Sequence, residues 1–287
     1  MDKLIINFTP TGMIPTKKQT PHVPVTPEEI IEDVRIACSL GITMVHLHAR
    51  DENQAPHYSK DIYRKIISGI RKFAPELIIC VSTSGRIYEK LEYRSEILML
   101  DGDEKPDMAS LALSSLNFNK QASINSPETI AGLAQTMKDR GIAPELEAFD
   151  SGMLNYAKYL IKKGLLNPPH YVNFILGNIA CAQANLLSAG LMENEVPDNS
   201  VISFGAIGDK QLRIISLAIS MGFGVRVGLE DNIWYDKERT KLASNAMLIE
   251  RTLTIAQANQ REVMKPSELR NILGLKNGNG NYGLKQS

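Results

Sequence analysis

Apolar residues along this chain follow two alternating rhythms. Short runs rich in β-branched and other apolar residues lie at 4–9, 43–49, 77–83, 107–113, 145–150, 171–177, 200–207 and 224–230. Each is too short for a helix and reads as a strand. Between them, apolar positions recur at helical spacing. The first helical stretch is the plainest. Thr26 is set to cap it, Pro27 takes the first helical position, and Glu29 completes a capping box. Ile30, Val34 and Ala37 then line one face up to Gly41. Ser126-Pro127-Glu128 repeats this start for a helix running to Gly141. Further helices are expected near 59–73, 89–100, 151–163, 181–192, 209–221 and 240–257.

Eight strands, each followed by a helix, predict an α/β fold with a parallel sheet and helices outside it. For 287 residues the economical closure is a single-domain (β/α)8 TIM barrel, here over residues 1–275. An open doubly wound sheet would normally carry a GxGxxG turn after its first strand; Thr9-Pro10-Thr11-Gly12 stands there instead. No internal linker, low-complexity block or charge run marks a second domain. The Gly/Asn-rich stretch 276–287 is expected as a flexible C-terminal tail, loose or packed on a neighbour.

Charge narrows the partners. Lys plus Arg number 32 and Asp plus Glu number 32, so no net charge favours nucleic acid or an anionic membrane. No apolar run is long enough to span a bilayer, and the N-terminus turns polar too quickly for a signal peptide. Cys38, Cys80 and Cys181 are odd in number and far apart, which argues for a reducing, cytoplasmic compartment. Without a CxxC partner, each reads as a small buried residue.

Two segments concentrate the candidate chemistry. In Val45-His46-Leu47-His48-Ala49-Arg50-Asp51, the two imidazoles are two residues apart on a strand and so face one side. Near the C-terminal end of a barrel strand, that side is the mouth, where active sites of this fold lie. Two such histidines make half of a transition-metal site, or a polar core network. In Gly224-Val225-Arg226-Val227-Gly228-Leu229-Glu230-Asp231-Asn232, Arg226 and Glu230 share a parity and should both point inward. Charges there must be paired or metal-bound. Glu230 is the natural third ligand, and a His2Glu set leaves room for substrate or water. Asp231 is placed for a base. Arg226 is placed to hold a carboxylate or to depress the pKa of a nearby acid. The plainer alternative is an Arg226–Glu230 ion pair bracing the barrel. Ser82-Thr83-Ser84-Gly85-Arg86 offers hydroxyls and close backbone approach to an anion. Glu145 and Glu147 share one face of the fifth run, with Asp150 on the other; at least one acid is expected to brace the site, and a surface position for some of them is an equal expectation.

Taken together, these segments resemble the β-keto acid cleavage enzymes, the family that includes 3-keto-5-aminohexanoate cleavage enzyme. The likeness is carried by Thr9 to Gly12, Pro24 to Ile30, His46 to Asp51, Pro144 to Asp150, Arg226 to Asn232, Ser244 to Met247 and Lys265 to Leu275. It implies a zinc-dependent barrel, usually a homotetramer, that converts a β-keto acid and acetyl-CoA into acetoacetate and a new acyl-CoA. On matching positions it implies that His46, His48 and Glu230 hold zinc and that Arg226, Asp231 and Ser82 form the acid–base group. The aminohexanoate enzyme has an acidic residue in its first loop, where this chain has Met13 and Ile14. A neutral or apolar acyl chain is therefore expected. Ser84, Gly85, Ser114 and Asn117 are the other expected substrate contacts, Asn117 being equally a structural cap. Ala112 stands where a hydroxyl is common. The competing readings are a metal-dependent aldolase or lyase that needs no acetyl-CoA, metal-dependent hydrolysis, and a barrel that has lost its activity and serves as a binding or assembly module, the last weakened because every expected ligand and the candidate base are in place. The remaining histidines, His22, His57 and His170, are poorly placed for hydrolysis.

Overall fold

Thr26 caps the first helix as its sequence demands. In the computed structural model, which describes residues 3–285, α1 spans Pro27–Leu40. The Thr26 side chain accepts from the Glu29 N–H at 3.2 Å, and the Glu29 carboxylate accepts back from the Thr26 N–H at 3.2 Å. Gly41 ends the helix at φ 97°.

Eight parallel strands close a barrel: β1 (Ile6–Phe8), β2 (Met44–Leu47), β3 (Ile78–Val81), β4 (Met108–Ala112), β5 (Ala143–Ala148), β6 (His170–Leu176), β7 (Ser200–Ala206) and β8 (Gly224–Val227). Each pairs with its chain neighbours, and β1 closes the ring against β8 with Asn7 opposite Arg226. The helices α2 (Lys60–Arg71), α3 (Leu91–Ser95), α4 (Pro127–Arg140), α5 (Ser151–Lys162), α6 (Leu186–Glu195), α7 (Gln211–Ser220) and α8 (Asn245–Ala258) follow in turn. A further helix, α9 (Pro266–Ile272), comes after the eight repeats. This is the expected (β/α)8 barrel.

The differences lie in the connections. The sixth helix starts at Leu186, not near 181, because Asn185 caps it on the Ser188 N–H at 2.9 Å. The eighth starts at Asn245, where Ser244 caps it. The expected helix over 89–100 is α3 followed by a 3-10 turn, Glu96–Met99. Two small hairpins, Ala49–Arg50 with Pro56–His57 and Leu116–Asn117 with Ala122–Ser123, rise from the mouth.

Apolar side chains fill the N-terminal end of the barrel. Ile5, Met44, Ile78, Met108 and Tyr171 pack there against Met264, Leu269 and Leu273. Beside this layer lies the fully buried Asp107. It accepts from Arg71 Nη2 at 2.7 Å and from Arg270 Nη1 and Nη2 at 2.8 and 2.7 Å. It also accepts the Gly283 N–H at 3.2 Å. Where a loose tail is expected, Leu284 donates its N–H to Gly141 O and Tyr282 lies under the Arg71 guanidinium at 3.6 Å. Asp107→Ala strands two buried guanidiniums and should lower unfolding free energy by about 3–5 kcal/mol. Urea denaturation checks this; a loss under about 1 kcal/mol would remove Asp107 from that role.

Candidate active site

His46, near the end of β2, points into the barrel and is fully enclosed. Its Nδ1 meets Glu145 Oε2 at 2.6 Å. Glu145, on β5, has no solvent exposure and also accepts from Asn7 Nδ2 at 2.6 Å, Asn173 Nδ2 at 3.0 Å and Cys80 Sγ at 3.1 Å. Burial alone would favour a neutral Glu145, but His46, the Arg226 charge and the Cys80 thiol hold it ionised, with a pKa of about 2. The carboxylate thus takes the Nδ1 hydrogen and leaves His46 Nε2 facing the mouth. Burial also opposes a charge on His46, yet Glu145 prevails and pushes its pKa up to about 9, so a proton competes with any metal for that nitrogen.

His48 sits one turn of the pleat further on. Its Nε2 is 3.3 Å from His46 Nε2 and 3.1 Å from Glu230 Oε1. The three donor atoms lie within 4.8 Å of one another. A tetrahedral zinc with ligand bonds of about 2.05 Å separates neighbouring donor atoms by about 3.3 Å. The two nitrogens therefore already stand one tetrahedron edge apart. Glu230 Oε2 is buried with no hydrogen-bond partner among the described residues, which is costly for an anion unless a cation binds it. Donor types, spacing and this orphaned oxygen all fit a divalent metal.

Arg226, on β8, organises the acids beside these donors. Its Nη2 donates to Glu230 Oε1 at 2.7 Å and its Nε to Asp231 Oδ2 at 2.8 Å, while Nη1 lies 3.6 Å from Glu147 Oε1. The bracing pair anticipated between Arg226 and Glu230 is thus present, together with the histidine contacts rather than in place of them. Asp231 is turned to Arg226 and is not among the three clustered donors.

Two loops are pressed together to hold Glu230. At Gly228 a Cβ would lie 2.0 Å from Thr9 O, and at Gly12, with φ 63°, one would lie 2.4 Å from Glu230 Cγ. Only glycine permits both approaches. Arg50 Nη2 donates to Gly12 O at 2.8 Å. Asn245 accepts from the Leu229 N–H at 2.8 Å and donates to Pro10 O at 3.0 Å and Asp33 Oδ2 at 2.6 Å.

A cavity of about 320 Å³ opens over this centre. His48, Glu230, Arg226, Asp231, Ser82 and Ser84 are on its wall, as are Met13 and Ile14. Among the described residues, no hydrogen bond joins Ser82 to Asp231 or Arg226. Gly85, Ser114 and Asn117 are off the wall. Gly85 packs on backbone, since a Cβ there would meet Ile124 O at 2.2 Å. Ser114 O receives Asn125 Nδ2, and Asn117 O receives Asn178 Nδ2. Asp150 caps α5 on the Met153 N–H at 3.1 Å. His170 begins β6, at the opposite end of the barrel.

The model of the beta-keto acid cleavage enzyme family matches residues 3–275. The chain belongs to this family. Over 278 residues it is 36% identical to the 3-keto-5-aminohexanoate cleavage enzyme of Fusobacterium nucleatum, covering 96% of this chain and 99% of that one. Over 275 residues it is 34% identical to the 3-oxoadipate:acetyl-CoA acetyltransferase of Cupriavidus necator, covering 94% of each. The fold resembles that of ObcA, solved in a ternary complex with a C4-CoA adduct and oxalate. That likeness has a TM-score of 0.74 and 21% identity, covering 89% of this chain and 68% of that one. This member of the β-keto acid cleavage family is therefore an enzyme of the carbon–carbon-cleaving acyltransferase class.

In this cleavage enzyme the acids are tuned apart. Burial raises the pKa of Asp231, and the Glu230 charge adds to the effect against the pull of Arg226. Burial likewise raises Glu147, to about 7. Glu145 supports His46 from behind. Glu145→Gln should therefore weaken metal binding by about 10–100-fold, read from chelator competition. An unchanged dissociation constant would show that His46 needs no such support.

Proposed function

We propose that this enzyme condenses a β-keto acid with acetyl-CoA and releases acetoacetate and a new acyl-CoA, with Zn2+ held by His46, His48 and Glu230. The observation that carries the reading is the trio of donor atoms within 4.8 Å of one another, its two histidine nitrogens one tetrahedron edge apart, beside the Arg226–Asp231 pair and under one cavity. Family membership and the acetyl-CoA named for the Cupriavidus relative support it. When bound, the ion supplies a Lewis acid that polarises the substrate ketone and makes the C2 protons more acidic.

The residues of the chain do the rest. Asp231, held by Arg226 and raised in pKa by burial, takes a proton from C2 of the keto acid. The C2 carbanion attacks the acetyl carbonyl and expels the CoA thiolate. That thiolate adds to the original ketone carbon, the bond from that carbon to C2 breaks, and acetoacetate leaves with its pair of electrons on C2. Asp231 returns the proton there, so the cycle is neutral in protons. Arg226 keeps Asp231 oriented in both states, and Ser82 offers a hydroxyl from the facing wall.

Met13 and Ile14 on the wall support a neutral or apolar acyl chain near the first loop. The same reading includes a homotetramer in the cytoplasm. Exposed Ile179, Leu186, Leu187 and Leu191 around α6 support association of subunits, and among the described residues no helix is long and apolar enough to cross a membrane. A panel of β-keto acids with acetyl-CoA, scored for acetoacetate, tests the reaction. Cleavage that proceeds equally well without acetyl-CoA would replace it with a lyase.

A further inference from the structure

One cation on the cavity wall lacks an acid of its own. Arg226 is held by three carboxylates, and Arg239 has Asp209 at 4.0 Å. The Arg86 guanidinium makes no hydrogen bond and no ion pair among the described residues, and its Nε is sealed from solvent without a partner. Burial pulls its pKa down, and the acids whose charges reach it, Glu230, Glu147 and Asp231, act only from a distance. A half-buried guanidinium with its Nε sealed and no acid beside it is costly to keep, so its place needs an explanation.

The surroundings of Arg86 supply one. Its Cζ lies 3.5 Å from the centre of the Phe118 ring, and Phe149 meets that ring edge-on at 6.0 Å. Both rings are on the same cavity wall. Stacking fixes the plane of the guanidinium and leaves its edge available for hydrogen bonds. The backbone of Arg86 is set by Ser84, whose hydroxyl accepts the Arg86 N–H at 3.3 Å, so it belongs to the turn that also presents Ser82. A flat cation held flat, unpaired, and close enough to feel the charges of the reaction centre matches the planar two-oxygen shape of a carboxylate.

We propose that Arg86, stacked on Phe118, is the carboxylate-binding residue of the substrate cavity. The proposal rests on the reading that this cavity takes a β-keto acid. The carboxylate is either the C1 group of every such acid, which keeps the acyl chain neutral, or a second one at the far end of the chain, which would replace the neutral chain read from Met13 and Ile14; the recognition chemistry is the same.

Two six-carbon acids separate these sources: 3-oxohexanoate, with one carboxylate, and 3-oxoadipate, with a second at C6. In Arg86→Gln, a C6 contact raises KM for 3-oxoadipate tenfold or more and leaves that for 3-oxohexanoate within twofold. A C1 contact raises both tenfold or more. Unchanged KM values for both acids, or a rise for acetyl-CoA alone, would overturn the proposal. Phe118→Leu leaves the charge but frees its plane, and should raise KM about threefold for whichever acid responds to Arg86→Gln. Calorimetric titration with adipate gives an arm independent of turnover. Wild type should bind it at least tenfold more tightly than Arg86→Gln, and equal affinities would contradict the proposal. If wild type forms no acetoacetate yet loses adipate binding on this substitution, the reaction assignment fails and the carboxylate subsite stands.

Discussion

Asp231→Asn is expected to retain its metal and to slow acetoacetate formation by about 10²–10⁴-fold. Asparagine nearly matches the carboxylate in shape and can still accept a hydrogen bond from Arg226 Nε, now 2.8 Å from Oδ2. The three clustered donors are His46, His48 and Glu230, so the metal set is untouched. What disappears is a basic oxygen. Burial has already raised the pKa of Asp231, which strengthens it as a base relative to an exposed aspartate, and Arg226 limits that rise. An amide has no such basicity at any pH the enzyme meets. Metal content and kcat measured on the same preparation check both halves. A near-normal rate would move the base to another acid, Glu147 being next on the wall.

Glu230→Gln should empty the metal site. Its affinity should fall by more than the roughly 10–100-fold typical of an outer partner such as Glu145, because a charged ligand becomes neutral. The amide also meets Arg226 Nη2, which now donates to Oε1 at 2.7 Å and would be left facing a weaker acceptor. The variant should purify with little metal and recover turnover only at high added zinc. Full occupancy after dialysis against a chelator would remove Glu230 from the ligand set.

The barrel was legible because its strands are buried on both faces and read as near-continuous apolar runs, several of them closed by a glycine-marked turn such as Gly85, Gly177, Gly208 and Gly228. His46 and His48 could be paired from strand parity alone. Parity could not separate Glu145 from Glu147, since both point inward. Their difference comes from other strands: Asn7 on β1 and Asn173 on the neighbouring β6 converge on Glu145, while Glu147 is left on the cavity wall. Asn245 is as hidden: its three partners lie on other segments, and only folding gathers them. Ser114 and Asn117 leave the wall because the chain beyond β4 turns into a hairpin, a pairing of two residues per strand too short to leave a periodic signal. Arg86 shares the turn of Ser82 and Ser84, and its lack of an acid partner among the described residues is visible only in three dimensions.

Carbon tracing tests the account most directly. With acetyl-CoA carrying ¹³C in both acetyl carbons and an unlabelled β-keto acid, the acetoacetate formed should hold both labels, at C3 and C4. The new acyl-CoA should hold none. Unlabelled acetoacetate, or label retained in the acyl-CoA, would contradict an attack of the keto acid's C2 on the acetyl carbonyl.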